Sequence, residues 1–143
     1  MWISDDETLK LCTQVGQQYV PHNDWFQAES PMTAERLAER GQRLVSFFTY
    51  LSDGSECEGG HTRFPRLGVS FRPKLGTCVM WWNRTVDGVM DERTLHCGCP
   101  VDEGTKWGMN VWMREKPLAT DPVNVVPVGK FNCKNSDGDG GNE

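Results

Sequence analysis

The sequence carries no excess of positive charge. Its 15 Lys and Arg stand against 20 Asp and Glu, a net charge of −5 with a pI near 5.2. No basic footprint exists to meet a phosphate backbone, so nucleic acid is excluded as an expected partner. No apolar run approaches the length of a membrane span, and residues 1–7 hold neither the basic region nor the apolar core of a secretory leader. Cysteine is too sparse for a disulfide framework. The six (Cys12, Cys57, Cys78, Cys97, Cys99, Cys133) are spread over 143 residues, and Cys97-Gly98-Cys99 has no second pair at zinc-ribbon spacing. A structural or incidental role is preferred to zinc. Residues 134–143 contain only Asn, Ser, Asp, Gly, Lys and Glu, which cannot repay the entropy of ordering; a disordered tail is expected there. The repeated Asp137-Gly138 and Asp139-Gly140 lack EF-hand spacing, so calcium is not expected. The sequon Asn83-Arg84-Thr85 directly follows an apolar run, and an unmodified asparagine is the expectation.

At this length the chain is read as one domain over residues 1–117 with a C-terminal extension over 118–143. Leu9, Leu11, Thr13 and Val15 alternate with other residues, the period of a half-buried strand. Residues 43–52 are too uniformly apolar for an exposed strand and are expected to be central. Turns are expected at 54–60 and near Pro65, followed by a strand over 67–71. Lys74-Leu75-Gly76 reads as a hairpin link into a buried strand over 77–82. Residues 29–41 read as a short helical turn or mobile loop starting at Thr33, with Arg36 where a capping box wants Glu or Gln. Its position after the first candidate ligands makes it a candidate lid. Short strands at this spacing with little helix predict a sandwich or barrel.

The chemistry concentrates in residues 91–113. His96 and, ten residues on, Lys106 flank a turn punctuated by Gly and Pro, and a β-type run of Trp, Met and Val follows. A chain leaving an inner strand at His96 and returning at Lys106 aims both side chains into one cavity. Upstream, His22 and Asp24 lie two residues apart, so in extended backbone they project to one face. Two histidines and one carboxylate form the set that holds non-haem Fe(II) and leaves the opposite face open. Each residue alone has a plainer reading: a loop histidine beside a turn aspartate, a core histidine, a strand lysine with its head in solvent. A buried cation, however, requires a partner.

The residues Val15-Gly16-Gln17-Gln18-Tyr19-Val20-Pro21-His22-Asn23-Asp24 are followed by Gly41-Gln42-Arg43, which leads into Phe48-Thr49-Tyr50-Leu51-Ser52. Glu58-Gly59-Gly60-His61-Thr62-Arg63-Phe64-Pro65, Trp82-Asn83 and the block from His96 to Lys106 complete the set. In this order, over about residues 11–113, the sequence resembles the catalytic domain of prolyl 4-hydroxylases, Fe(II)/2-oxoglutarate dioxygenases. The resemblance implies a mainly β fold, a double-stranded β-helix or jelly roll with iron between two sheets. It implies Fe(II) on His22, Asp24 and His96, and the distal carboxylate of 2-oxoglutarate on Lys106, helped by Thr62 and Tyr19. It further implies a proline-containing peptide along Arg43 and Trp112, with L-ascorbate as reductant. The activity implied is hydroxylation of peptidyl proline at C4 by O2 and 2-oxoglutarate, with release of succinate and CO2.

The resemblance also exposes departures. Thr13 stands where the family commonly has a tyrosine, and His61 where it more often has Glu; His61 is read as a loop residue that does not bind metal. Cys97, beside His96, replaces a small residue and places a thiol where iron chemistry can oxidise it. Trp81, Trp82, Trp107 and, by default, Trp112 are read as core and sheet packing. Many relatives act in the endoplasmic reticulum lumen and have N-terminal supporting elements with no counterpart here, so a shortened domain is expected. The rival readings are a related dioxygenase acting on lysyl residues or a free amino acid, a non-catalytic metal-binding jelly roll that serves interaction, and a cupin-like zinc or copper protein.

Overall fold

The structure, a computed structural model, describes residues 8–27 and 30–116. The extension over 118–143, with its expected disorder and Cys133, lies outside the described residues. Nine strands form two antiparallel sheets among them. The larger sheet takes β1 (Thr8–Gln14), β9 (Val101–Arg114), β3 (Arg43–Tyr50) and β7 (Cys78–Trp82) in that spatial order, and β4 (Cys57–Gly59) pairs with the start of β9. The smaller sheet runs β2 (Tyr19–His22), β8 (His96–Gly98), β5 (Thr62–Phe64) and β6 (Val69–Phe71). Apart from the β3–β4 and β5–β6 steps, successive strands pass back and forth between the two sheets, the winding of a double-stranded β-helix.

The sequence periods explain the layers. On β3 the even-numbered side chains Ser46, Phe48 and Tyr50 are all buried. On β9 the matching face carries Lys106, Gly108, Trp112 and Arg114, each buried. Phe48, Tyr50, Val79 and Trp81 from the larger sheet meet Phe64 from the smaller one, with Leu11 packed alongside. Phe64 and Trp81 make an edge-to-face pair with centroids 5.2 Å apart, the geometry that the aromatic quadrupole favours. Burying each of these side chains contributes roughly 1.5–3 kcal/mol, enough for the same interior to tolerate a few buried polar groups.

Four sequence expectations are corrected. Residues Pro31–Arg40 form a full α-helix, α1, where a short turn or mobile loop was expected. Its cap is Ser30, whose Oγ accepts from the Thr33 N–H at 3.1 Å, with Pro31 in the first turn; Thr33 is inside the helix. A lid reading fails at the C-terminal end, because Arg114 donates from Nη2 to the carbonyls of Arg36 (2.8 Å) and Gly41 (2.7 Å). The Lys74–Gly76 turn is no hairpin link. It carries the chain from β6 in one sheet to β7 in the other, and β7 pairs with β3 instead. That strand lies at a sheet edge and alternates, with Val79 and Trp81 buried but Met80 and Trp82 about half exposed. Trp107 likewise faces outward at 48% exposure, so of the four tryptophans in this region only Trp81 and Trp112 belong to the interior. The described cysteines form no disulfide among themselves.

The bend of β9 over β4 depends on Gly104. Its φ is +76°, in the left-handed region, and a Cβ there would collide with the Glu56 carbonyl oxygen. Gly104→Ala is expected to destabilise the fold by about 2 kcal/mol or more, since the backbone region alone costs roughly 1–2 kcal/mol for a residue with a Cβ. Urea unfolding checks this by its midpoint, and an unchanged midpoint would show that the β4 turn yields freely.

Candidate metal centre

The strands bring the two candidate histidines into direct register. His22 ends β2, His96 begins β8, and they are cross-strand partners with ring centroids 4.3 Å apart. Asp24 follows β2 in the loop, 5% exposed. One ligand atom from each of His22, Asp24 and His96 lies within 4.8 Å of the others. Asp24 Oδ1 is 3.5 Å from His22 Nε2 and 3.7 Å from His96 Nε2.

What holds these groups selects their ligand form. His22 Nδ1 is 2.9 Å from the Val20 carbonyl, and His96 Nδ1 is 2.9 Å from the Thr94 carbonyl. A carbonyl only accepts, so each Nδ1 carries a proton and each Nε2 is the ring nitrogen left to face Asp24. Asp24 Oδ2 accepts from Ser46 Oγ at 2.5 Å and from Trp112 Nε1 at 3.0 Å, leaving Oδ1 toward the imidazoles. Asn83, fully buried, donates to Ser46 Oγ at 2.9 Å. That burial keeps the sequon asparagine from any glycan in the folded chain.

The protonation states agree. Burial raises the Asp24 pKa, but the hydrogen bond from His22, the charge of His96 and the bonds from Ser46 and Trp112 outweigh it, bringing the group down to about 2. Burial pushes His96 below the ordinary imidazole value despite the opposing pull of Asp24. A carboxylate and two imidazole Nε2 atoms converging on one point are the donor set that a divalent cation requires. The residues fit a metal ion.

A cavity of about 750 Å³ opens from this cluster between the sheets. Lys106 lines it, 6% exposed, its Nζ 5.0 Å from the centroid of Phe48 and 5.5 Å from that of Tyr50. Burial lowers its pKa. Among the described residues no carboxylate pairs with it, so the cavity contains a cation whose partner has to come from outside. Thr62 lies in the same wall, and the Tyr50 hydroxyl is hydrogen-bonded to both Thr62 Oγ1 at 2.6 Å and the Phe71 carbonyl at 3.1 Å. Thr13 is the register partner of Lys106 across β1 and β9 and also lines the cavity.

The remaining candidates take distinct places. Tyr19 is exposed at the cavity mouth, its ring edge-on to His22 at 4.0 Å. The Arg43 guanidinium lies 3.8 Å from the Trp112 ring and 4.7 Å from that of Phe26. Trp112, read as a groove residue, is buried and holds Asp24 through its N–H. His61 stays outside the ligand cluster, and burial raises the Cys97 thiol pKa, with Cys99 adding to it. Sequence reasoning missed Ser46, Asn83, Tyr50 and Asn110. Ser46 was findable, as the one inward polar residue in an otherwise apolar central strand.

A two-histidine, one-carboxylate cluster between the sheets of a jelly roll is the arrangement of a non-haem metal enzyme. Comparison with known proteins narrows that class. The model of the 2OG-Fe(II) oxygenase superfamily matches residues 9–114. Human prolyl 4-hydroxylase subunit alpha-1 is 39% identical over 115 residues, 80% of this chain and 21% of that protein. Probable prolyl 4-hydroxylase 10 of Arabidopsis thaliana is 33% identical over 120 residues, 71% of this chain and 39% of that protein. The viral collagen prolyl hydroxylase of Paramecium bursaria Chlorella virus-1, solved as a 2OG complex, superposes with a TM-score of 0.60 at 31% identity. It covers 75% of this chain and 56% of its own. The chain belongs to the 2OG-Fe(II) oxygenase superfamily, and Fe(II) and 2-oxoglutarate are the cofactor and co-substrate of that class. It spans between about a fifth and two fifths of the length of these two curated relatives.

Ser46 offers a direct test of the second layer. Ser46→Ala removes one of the two donors to Asp24 and strips Asn83 of its acceptor. Outer partners of this kind are worth roughly 10–100-fold in metal affinity. Anaerobic iron titration is expected to show that loss, and wild-type affinity would mean that Trp112 alone orients the carboxylate.

Proposed function

We propose that this chain hydroxylates prolyl residues of a peptide at C4, consuming O2 and 2-oxoglutarate and releasing succinate and CO2. The observation that carries the reading is the buried Lys106 ammonium, without a carboxylate partner among the described residues, in the cavity that also holds His22, Asp24 and His96. A dicarboxylate satisfies both ends at once: one carboxylate pairs with Lys106 and the keto-acid end faces the metal ligands. The kinship with prolyl 4-hydroxylases supplies the substrate class.

His22, Asp24 and His96 would hold Fe(II) by Nε2, Oδ1 and Nε2. When bound, iron supplies the activation of O2 that couples oxidative decarboxylation of the keto acid to hydroxylation, with L-ascorbate as the reductant that restores the ferrous state. The chain's own contribution is placement. Lys106 and Thr62 bind the distal carboxylate, in a pocket that Phe48 and Tyr50 keep poor in water, where a charge-assisted bond is strongest. Ser46 and Trp112 fix Asp24 through Oδ2, which leaves Oδ1 facing the two imidazoles where a metal ion would be held. Arg43, held against Trp112 and Phe26, lines the wall along which the peptide lies, and Tyr19 at the mouth assists Lys106 and Thr62 at the co-substrate.

Succinate release from 2-oxoglutarate with Fe(II), ascorbate and a panel of proline-rich peptides tests the activity directly. His96→Ala is expected to abolish turnover. Lys106→Ala is expected to weaken 2-oxoglutarate by one to three orders of magnitude, because an unpaired buried charge partner costs about 2–5 kcal/mol, while iron content stays at the wild-type level. Equal co-substrate affinity in the two proteins would sink the reading.

A further inference from the structure

The inner face of β9 presents Lys106, Gly108, Asn110 and Trp112 at alternate positions, each lining the cavity. Lys106 stands at one end of this row. Trp112 stands at the other, its N–H committed to Asp24. Asn110 lies two residues before Trp112, about 7 Å along the strand by the rise of extended chain. Its register partners on both flanks are apolar, Phe48 on β3 and Leu9 on β1, so the sheet offers the amide nothing to bond. Its Oδ1 is buried without a partner, and neither amide atom makes a hydrogen bond among the described residues. A buried amide oxygen left this way calls for a partner from outside the chain, a water or a ligand.

The position selects the ligand group. A carboxamide offers two N–H donors on one atom and an acceptor on the other, and a half-turn exchanges them. Next to a cluster whose imidazole protons are already committed to Val20 and Thr94, the complement to a keto-acid carboxylate is a donor. We propose that Asn110 binds the metal-facing carboxylate of 2-oxoglutarate through its Nδ2–H, while Lys106 holds the distal one. The inference rests on the reading of this cavity as the co-substrate site, and it divides recognition between two residues on one strand. Gly108, between them, leaves its place on the face to the Phe48 ring, with which a Cβ would collide. The row therefore alternates cation, aromatic edge and amide, matched to a molecule that is anionic at both ends and apolar between them.

The test uses iron-loaded protein under anaerobic conditions and calorimetric titration of two keto acids. One is 2-oxoglutarate; the other is pyruvate, which has the keto-acid end and lacks the distal carboxylate. Asn110→Ala is expected to weaken both by about tenfold or more, the worth of a hydrogen bond to a charged group. Lys106→Ala is expected to weaken 2-oxoglutarate and leave pyruvate unchanged. Asn110→Asp preserves shape but sets a negative charge against the carboxylate, and is expected to lose more than the alanine variant. Wild-type binding of both acids by Asn110→Ala would overturn the proposal, as would an Asn110→Asp protein that binds like the wild type. A loss confined to 2-oxoglutarate would place Asn110 at the distal end and overturn it too. Loss of iron or of the thermal transition in both Asn110 variants would make the residue structural and refute its ligand role. Failure of the wild type to bind either acid would bring down the co-substrate reading itself, a result distinct from any of these.

Discussion

A carboxylate buried between two sheets is the constraint on which the rest of the site depends. Asp24 is 5% exposed and remains anionic, although an uncompensated charge in such surroundings is among the most costly groups a fold can contain. The fold compensates it from three directions. Ser46 on β3 and Trp112 on β9 bond one oxygen, and the other faces the imidazole nitrogens of β2 and β8. Both sheets therefore converge on one side chain, and the two donors to Oδ2 come from the long central strands β3 and β9. Ser46 is itself fixed by Asn83, so the compensation reaches a third layer.

Lys106 is the counterpart at the opposite end. Asp24 is satisfied within the chain, whereas the described residues supply no carboxylate to the lysine, whose ammonium lies over the faces of Phe48 and Tyr50. Aromatic faces temper a buried ammonium by about 2 kcal/mol, less than the several kcal/mol that its dehydration costs. A fully compensated anion and an uncompensated cation in one cavity give the interior a direction. An incoming dianion gains at the lysine and meets a metal at the other end, while a neutral molecule of the same size gains at neither.

Much of this was legible in the chain itself. Alternation over residues 9–15 and the apolar run from Leu44 to Leu51 marked β1 and β3, because period and burial are local properties. The spacings of His22 and Asp24 and of His96 and Lys106 were visible for the same reason, and the four residues do meet in one cavity. Less legible was what depends on partners. The edge position of β7 follows from the absence of a second neighbour, which no periodicity reports. The links from Asp24 to Ser46 and Trp112 span 22 and 88 residues, and Asn110 is conspicuous only once Phe48 and Leu9 are known to flank it. The start of α1 is a different case: Ser30-Pro31 is a sound opening for a helix, and attention to Thr33 displaced it.

The pairing of His22 with His96 carries one more consequence. β2 is four residues long, largely exposed, and lies at the margin of the smaller sheet with β8 as its single neighbour. An ion held by both imidazoles would therefore also clasp the exposed seam at the edge of that sheet. Linkage makes the clasp reciprocal: the free energy that ties the ion to its ligands appears as resistance of this seam to opening, and any strain that lifts β2 releases the ion. Chelation would thus loosen this margin of the barrel before its centre, and catalytic competence and local cohesion would be gained and lost together.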